Sequence, residues 1–429
     1  MKNNFLIKLE LENGKKKEVE LKLHKDNEPL LYLNPNVLDL LFIGDAIFEI
    51  EKILSPDSDE YNSKIKTINI PHVSDLNEKE KSELNNWLKQ LFLFLYKKDL
   101  QFSFEKVKFQ APIKEHFSLD KDYDSVMLFS GGLDSSLGIN YCKKKFNKTL
   151  MVYIRHGNAG QLTPTINKLE KELINPKGFK LVRIAGPKQT SGYFANTRGL
   201  LYLLTGALYA CENNSPLIIS ECGVTMYQPR FGPLYAVTYT TNPVVMTIGK
   251  EIIRIITKKQ IEIKLPFENN TKAEMVGLCG DQNNIANSFS CLTNLRFAVA
   301  KGNCGECYAC LVRRLGILAV RDDPTAYSEK NKISEIKHIK EKLYPIVNFC
   351  YRVLTDFDGL DYWQKETIIK YKKQDLFLRF ALDTFIALDK LSKNKELPDW
   401  ALLYLNKINS KAIQERLSEL GKLKTTDQN

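Results

Sequence analysis

The feature that most constrains the fold is an apolar run followed by a glycine-rich turn and a helical segment. Val126-Met127-Leu128-Phe129 is typical of a buried strand, SGGLDSS follows at 130–136, and helical spacing runs from about 135 to 145. Strand-like and helical runs then alternate. The strand-like runs are at 149–154, 180–184, 217–220 and 261–267, and the helical runs are at 163–175, at 197–212 and from Thr271. Such alternation predicts an α/β protein with a parallel sheet.

The segments on either side of this core have other patterns. Two alternating runs around Asn13-Gly14 predict a β-hairpin at 5–23. Helices at 36–54 and 79–98 and strands at 67–73 and 101–110 complete a predicted N-terminal module. The region beyond 320 has helical patterns at 331–356, at 360–392 with a break, and at 398–420. We therefore expect an N-terminal α+β module (1–120), an α/β core (121–320) and a helical C-terminal region (321–429).

Composition excludes several classes of protein. The 429 residues are 43% apolar and 26% charged, which is normal for a globular chain and unlike a disordered one. A net charge of +11 is mild at this length, so direct nucleic-acid binding is not predicted. The charge-free stretch at 231–249 contains Pro233, Pro243 and several threonines, which makes a poor membrane span, and the N-terminus has no secretory signal. A cytoplasmic protein without membrane contact is expected.

The SGGLDSS turn has the composition of an anion site. Its glycines permit backbone N–H groups to turn inward, and the following helix start adds positive partial charge, so phosphates fit there. Asp134 is placed to hold Mg²⁺, and the alternative is a tight turn capped by Ser and Asp. The sequence lacks both the G-x-x-x-x-G-K-[ST] and the G-x-G-x-x-G loops. The candidate ATP-binding residues are Ser130, Gly131, Gly132, Asp134, Ser135 and Ser136.

Four of the nine cysteines are clustered. Cys291, Cys304, Cys307 and Cys310 have the spacing C-x12-C-x2-C-x2-C. Thiolates at such spacing fit a tetrahedral Zn²⁺, and four protein ligands imply a closed structural site. An iron–sulfur cluster is the alternative, and Cys279 is a substitute candidate for Cys291.

The glycine-rich string resembles the pyrophosphate loop of the N-type ATP pyrophosphatases, which implies the adenine-nucleotide alpha-hydrolase-like (HUP, or PP-loop) fold. Together with CGECYACLVRR, ANTRGLLYLLTGALYA and TKAEMV, it resembles the 7-cyano-7-deazaguanine synthase (QueC) family over roughly 121–320. That resemblance implies that ATP adenylates the carboxylate of 7-carboxy-7-deazaguanine. Ammonia then gives the amide, and a second ATP gives the nitrile.

The chain departs from the synthase pattern. SECGVTMYQPRFGPLYAVTYTTNP at 220–243 replaces the family's substrate segment, and the family's Arg-Asn pair reads Arg198-Gly199. The long additions at both ends resemble the QueC-like proteins of anti-phage operons, namely QatC of the Qat system and type IV CBASS. In that group the resemblance implies an amide link to a protein N-terminus, hence a protein partner from the same operon.

Individual residues have two interpretations each. Lys272 bridges ATP phosphates or is a surface lysine, and Arg198 holds phosphate or substrate carboxylate or forms a buried ion pair. Glu221 accepts from a guanine-like N–H edge or is a solvated carboxylate, and Arg313 braces the zinc thiolates or faces the nucleotide. We take Asp134, Lys272 and Arg198 as candidate catalytic residues. We take Glu221, Arg198 and Arg313 as candidate substrate ligands.

The sequence thus predicts an ATP-dependent ligase that forms a C–N bond on a 7-deazaguanine carboxylate, releases AMP and pyrophosphate, and acts in anti-phage defence. One alternative is a housekeeping nitrile synthase that makes the queuosine precursor. The other is a non-catalytic ATP-binding scaffold of a defence complex. The expected cofactors are ATP, Mg²⁺ and a structural Zn²⁺.

Overall fold

A computed structural model describes residues 5–21, 34–54, 65–108, 122–155, 163–171, 178–185, 196–229, 231, 239, 241–291, 302–328, 333–336, 338–408 and 410–425.

The N-terminal part forms a four-stranded mixed sheet in the order β2-β1-β3-β4. Its strands are β1 (Leu6–Leu11), β2 (Lys16–Glu20), β3 (Ile65–His72) and β4 (Phe102–Lys106). β1 and β2 are the predicted hairpin, with Gly14 at a φ of +80° in its turn. β3 and β4 are parallel, so they need a crossover, which helix α2 (Glu78–Tyr96) provides. Helix α1 (Pro35–Ile53) precedes β3, close to its predicted position.

The core contains a five-stranded sheet in the order β7-β6-β5-β8-β9, with every pairing parallel. Its strands are β5 (Ser125–Leu128), β6 (Thr149–Arg155), β7 (Phe179–Ala185), β8 (Leu217–Ile218) and β9 (Ile263–Lys264). The parallel sheet predicted from the alternation is therefore confirmed. The chain builds outward from β5 to β7 and then returns to the other side of β5 as β8. This reversal opens a crevice at the carboxyl ends of β5 and β8, where α/β sheets bind ligands.

Eight helices lie between β5 and the C-terminal region, within the described residues. They are α3 (Leu133–Lys145), α4 (Thr163–Leu169), α5 (Arg198–Asn213), α6 (Gly223–Tyr227), α7 (Pro243–Thr257), α8 (Lys272–Cys279), α9 (Gln282–Asn287) and α10 (Tyr308–Leu318). The sequence patterns predict α3, α5 and the start of α8 but not α7. The helix predicted at 163–175 ends earlier in the structure, and residues 172–177 lie outside the described ones.

The C-terminal region is helical, as predicted. Its helices are α11 (Ile339–Thr355), α12 (Tyr362–Lys370), α13 (Gln374–Lys393), α14 (Asp399–Leu405) and α15 (Ser410–Thr425). The break within 360–392 falls at Lys372, which has a φ of +53°. The single helical run predicted at 398–420 is wrong: Lys407 and Ile408 donate to the carbonyls three residues earlier, and this tighter hydrogen bonding ends α14.

Both additions share hydrophobic cores with the middle of the chain. α1 packs against α5 and α7, and this core also takes in Val126 and Val152 of the parallel sheet. α13 and α15 pack against α8 and α10 in a second core that includes Leu133 and Leu137 of α3. The N-terminal module and the C-terminal helices therefore flank the core and contribute to its packing, while the predicted boundaries at 121 and 320 stay predictions.

Among the described helices, none has both the length and the apolar character needed to cross a membrane.

Candidate functional site

The loop that follows β5 turns sharply before α3 begins. Gly131 has a φ of +76°, and a Cβ placed there would lie 2.7 Å from Cδ1 of Ile166. Any other residue would therefore be strained at this position. The N–H of Phe289 donates to the Gly131 carbonyl oxygen at 2.8 Å, which holds the turn from a distant part of the chain. The dependence of this loop on glycine is what the SGGLDSS pattern predicts.

Serine hydroxyls surround the start of α3. Ser130 Oγ and Ser135 Oγ are 3.2 Å apart, and the N–H of Gly132 donates to Ser130 Oγ at 3.3 Å. Ser136 Oγ is buried and has no hydrogen-bond partner within the described part of the protein. Hydroxyl donors at the positive end of a helix form a suitable anion site. The geometry is compatible with phosphate binding, and the ATP-binding role of residues 130–136 stays a prediction.

Asp134, in the first turn of α3, forms an ion pair with Lys272, the first residue of α8. Both side chains are nearly buried, at 11% and 12% exposed. The second Asp134 oxygen accepts from the N–H of Cys222 at 3.3 Å. Burial lowers the pKa of Lys272, but the charge of Asp134, with smaller effects from Cys222 and Glu221, outweighs it and raises the pKa above its ordinary value. Lys272 is therefore a cation held inside the crevice, not the surface lysine of the alternative interpretation.

Glu221 lies just beyond β8, half-buried beside this pair. Burial and the nearby Asp134 carboxylate raise the pKa of Glu221 to about 7, and Lys272 opposes the shift only in part. The structure thus brings Asp134, Lys272 and Glu221 together where the strand order reverses. Residues at such a position come from separate strand ends, which is why they are distant in the sequence.

Arg198 is the first residue of α5. Burial lowers the pKa of Arg198, and the charge of Glu51 on α1 opposes the shift. Arg198 Nε has no hydrogen-bond partner within the described residues. No described contact joins Arg198 to Asp134, Lys272 or Glu221, so its predicted catalytic and substrate roles stay predictions.

Arg313 is 1% exposed. It donates to Ser288 Oγ at 2.7 Å, to Ser290 Oγ at 3.3 Å and to Thr325 Oγ1 at 2.9 Å. Ser290 Oγ in turn accepts from the N–H of Leu133 at 3.2 Å. These contacts tie the segment beside the cysteines to the start of α3. They favour a structural role for Arg313, which hydrogen-bonds to serine and threonine hydroxyls and not to the thiolates. The substrate role of Arg313 stays a prediction.

Cys291, Cys304, Cys307 and Cys310 form a compact cluster, with all four Sγ atoms within 4.8 Å of one another. Cys304 Sγ and Cys310 Sγ are 3.9 Å apart, as are Cys307 Sγ and Cys291 Sγ. Four thiolates around Zn²⁺ at about 2.3 Å each would be separated by about 3.8 Å. The donor set and its spacing fit one tetrahedral zinc ion, whereas an iron–sulfur cluster, which places several metal atoms between the thiolates, needs a wider cage.

The surrounding backbone supports thiolates at this position. The N–H groups of Glu306 and Cys307 donate to Cys304 Sγ at 3.4 and 3.2 Å. Gly302 and Gly305 have positive φ values of +61° and +84°, which permits the tight turns between ligands. Cys279, at the end of α8, is not among the clustered residues, so its proposed substitution for Cys291 is wrong.

Several residues that hold the site were not predicted from the sequence. The N–H of Cys222 supports Asp134, and Thr271 caps α8 with a hydroxyl that accepts from the N–H of Glu274 at 3.2 Å. The T-x-x-E spacing of Thr271 and Glu274 is a capping-box signal that the sequence carried. The segment at 220–243, which differs from the synthase pattern, is described only in part, since residues 230, 232–238 and 240 lie outside the described ones.

Residues 237–321 match a protein-family model described as "Queuosine biosynthesis protein QueC". The matched segment contains Lys272, Arg313 and the four clustered cysteines, and it lies C-terminal to the loop at 130–136. No curated protein shows significant similarity to the chain. The match supports a QueC-like relation within the PP-loop group, and it suggests ATP-using, ligase-type chemistry related to deazaguanine.

Proposed function

We propose that this protein is an ATP-dependent ligase that adenylates the carboxylate of 7-carboxy-7-deazaguanine, or of a related deazapurine, and then forms an amide. The main support for the proposal is that Asp134, Lys272 and Glu221 lie close together beside the SGGLDSS loop. This group lies in the crevice of the parallel sheet, in a chain with a QueC-like segment at 237–321.

The proposed reaction needs positive charge where pyrophosphate leaves. A carboxylate oxygen attacks the α-phosphorus of ATP, and the bond between that phosphorus and the bridging oxygen breaks, so pyrophosphate departs with the electron pair. The N-terminus of α3, the serine hydroxyls and Lys272 stabilise the charge that develops on it. Asp134 is the candidate ligand of the Mg²⁺ that screens the phosphates.

Glu221 supplies the specificity of the proposed site. A guanine-like ring presents adjacent N–H donors, and a carboxylate is the side chain that accepts two such bonds. The raised pKa of Glu221 means that binding such an edge also selects the ionised carboxylate. Arg198 is the candidate partner of the substrate's own carboxylate before adenylation.

The second half-reaction consumes the acyl-adenylate. An amine attacks the carbonyl carbon, AMP leaves with the former carboxylate oxygen, and the amine loses a proton, which gives an amide. Ammonia and a protein N-terminus are both nucleophiles of the proposed reaction. With ammonia, a second activation of the amide oxygen would give the nitrile.

The test combines purified protein, ATP, Mg²⁺ and 7-carboxy-7-deazaguanine, with and without ammonia, and detects nucleotides and deazapurines by mass spectrometry. We expect AMP, pyrophosphate and a product whose mass is that of the amide. Asp134→Asn should lower AMP release by about 100-fold or more, because it removes one charge from the reacting centre. The control Asp389→Asn, which removes an ion pair with Lys393 on α13, should leave it unchanged. Absence of AMP and of any amide or nitrile from the wild-type reaction would overturn the proposal.

We further propose that this activity serves anti-phage defence with a protein partner from the same operon. The resemblance of the long N- and C-terminal additions to the QueC-like proteins of anti-phage operons supports this reading. Phage plating on cells that carry the whole operon tests it. Protection lost in Asp134→Asn and kept in Asp389→Asn supports catalysis in defence, protection kept in both would favour a non-catalytic scaffold, and no protection from the wild-type operon contradicts the defence role.

A further inference from the structure

The helix that carries Lys272 begins at a capping box. The N–H of Thr271 donates to Glu274 Oε2 at 2.9 Å, and the N–H of Glu274 donates to Thr271 Oγ1 at 3.2 Å. Lys272 follows Thr271 directly, so the orientation of this cap sets the point from which the lysine side chain leaves the helix. The stem of Lys272 is also confined on its other side, because a Cβ on Gly316 of α10 would lie 2.9 Å from its Cβ and Cγ.

Two helices of the C-terminal region contact this capping box through hydrogen bonds and ion pairs. The Thr271 hydroxyl donates to Asp383 of α13. Arg416 of α15 donates from Nε to Asp383 Oδ1 at 2.8 Å and from Nη2 to Glu274 Oε1 at 2.6 Å. Arg379 of α13 adds a second guanidinium contact to the same Glu274 oxygen. One guanidinium fork therefore bridges both carboxylates that hold the capping box.

This network lies in the protein interior. Thr271 is 0% exposed, Asp383 2%, Arg416 4% and Glu274 5%. Buried charges are tolerated only when they are paired and hydrogen-bonded, so removal of one partner leaves an uncompensated charge. Such a set of residues has few alternative arrangements, and it makes the direction of the first turn of α8 depend on α13 and α15.

We propose that Arg416 and Asp383, both contributed by the helical C-terminal region, are positioning residues for Lys272. They act through Thr271 and Glu274 and do not touch the crevice themselves. The inference rests on the proposed function, in which Lys272 stabilises the leaving pyrophosphate. It gives the C-terminal region a part in the chemistry, because an error of about 1 Å in the placement of a catalytic group costs about 100-fold in rate.

The test compares Arg416→Met, Arg416→Lys and the wild type as full-length proteins. Arg416→Lys keeps one charge but loses the fork that bridges the two carboxylates. The control is Asp389→Asn, which removes an exposed ion pair of 2.6 Å with Lys393 on the same helix α13. Each protein is checked for zinc content and cooperative unfolding before use.

Two readouts separate positioning from bulk stability. The first is competitive acylation of lysines read by mass spectrometry, with Lys66, whose side chain is 61% exposed, as the internal reference. We expect labelling of Lys272 to rise several-fold in Arg416→Met, less in Arg416→Lys, and not in the control. The second is steady-state AMP release, in which kcat should fall by about 10- to 100-fold while the KM for ATP changes less.

The outcomes are distinguishable. If Arg416→Met does not fold, the comparison of Arg416→Lys with the wild type tests the positioning role. A folded Arg416 variant with wild-type labelling of Lys272 and wild-type kcat overturns the positioning role. If labelling of Lys272 responds but no variant, including the wild type, releases AMP, the positioning role stands and the proposed function fails.

Discussion

At the scale of single residues, Glu221 gives the site its dependence on pH. Its pKa is raised from 4.5 to about 7 by burial and by the Asp134 carboxylate. The folded protein therefore holds a proton between these pH values that the unfolded chain releases, so the contribution of Glu221 to the free energy of unfolding falls as pH rises from about 4.5 to about 7.

Binding of the deazapurine should show the opposite trend, because its N–H edge needs the ionised carboxylate. We predict that affinity for 7-carboxy-7-deazaguanine, measured without ATP or divalent metal, weakens below pH 7 by up to about tenfold per pH unit. Glu221→Gln should remove this dependence, and the exposed Glu262→Gln should preserve it. Calorimetric titrations at about pH 5.5, 6.5 and 7.5 measure this affinity across the range in which Glu221 takes up one proton. Equal affinities across that range in the wild type would rule out Glu221 as the acceptor.

Site residues could be predicted where a local motif marks them, but contacts between distant residues could not. Asp134 was identifiable from its glycine-rich turn, and Lys272 from the resemblance of TKAEMV to a segment of the QueC family. Their ion pair was not, because nothing local indicates which helix start meets which loop. Arg198 lies within the electrostatic influence of Glu51 because α1 packs against α5, and no sequence pattern indicated this packing.

At the scale of elements, the cysteine cluster joins the loop after α9 to the start of α10. We predict that the protein as purified carries about one zinc ion per chain. Cys307→Ser should lose the zinc, since a hydroxyl is a poor replacement for a thiolate ligand. Cys279→Ser is the control, because it makes the same change at a buried cysteine that lies outside the cluster.

Metal content by mass spectrometry and the midpoint of thermal unfolding measure the outcome. The zinc-free variant should unfold at a lower temperature, because a structural zinc contributes its binding free energy to folding. Loss of metal in Cys279→Ser, or iron with acid-labile sulfide in the wild type, would contradict this assignment.

The elements also show which sequence signals were sufficient. The strands of the parallel sheet and helices α3 and α5 were predicted because their apolar patterns are strong. α7 is not among the predicted helices, although Asn242 caps it and Pro243 occupies its first turn, because its charge-free beginning continues a proline- and threonine-rich stretch without a clear helical pattern. The end of α14 at Leu405 depends on tightened hydrogen bonds, for which the apolar pattern carries no signal.

At the scale of the whole molecule, the N-terminal module reaches into the core through Glu51. This carboxylate is 1% exposed. It accepts from the N–H groups of Asn196 at 2.5 Å and Thr197 at 3.1 Å, and from the hydroxyls of Thr197 and Tyr96. The start of α5, and with it the place of Arg198, therefore depends on a residue of α1.

We predict that Glu51→Gln lowers the free energy of unfolding by about 1–3 kcal/mol, because an amide nitrogen cannot accept the bonds that one carboxylate oxygen now accepts. Glu83→Gln is the control at the same interface, where a half-exposed ion pair with Arg254 of α7 should be worth less than about 1 kcal/mol. Denaturant titration measures both, and equal costs would contradict a special role for Glu51.

The arrangement of the three parts was the least predictable level. Composition and periodicity separated an N-terminal α+β part, a parallel α/β core and a helical C-terminal part. They did not indicate that α13 and α15 contact the start of α8. A contact such as that of Arg416 with Glu274 joins two residues that are distant in the sequence and whose neighbours have the pattern of an ordinary helix surface.

The central claim is that a carboxylate oxygen attacks the α-phosphorus of ATP, and isotope transfer tests it most directly. The substrate is 7-carboxy-7-deazaguanine labelled with ¹⁸O in its carboxylate, incubated with the protein, ATP, Mg²⁺ and an amine in unlabelled water. The account predicts AMP that carries one ¹⁸O atom, in step with amide formation. AMP without the label, or ADP in its place, would contradict it.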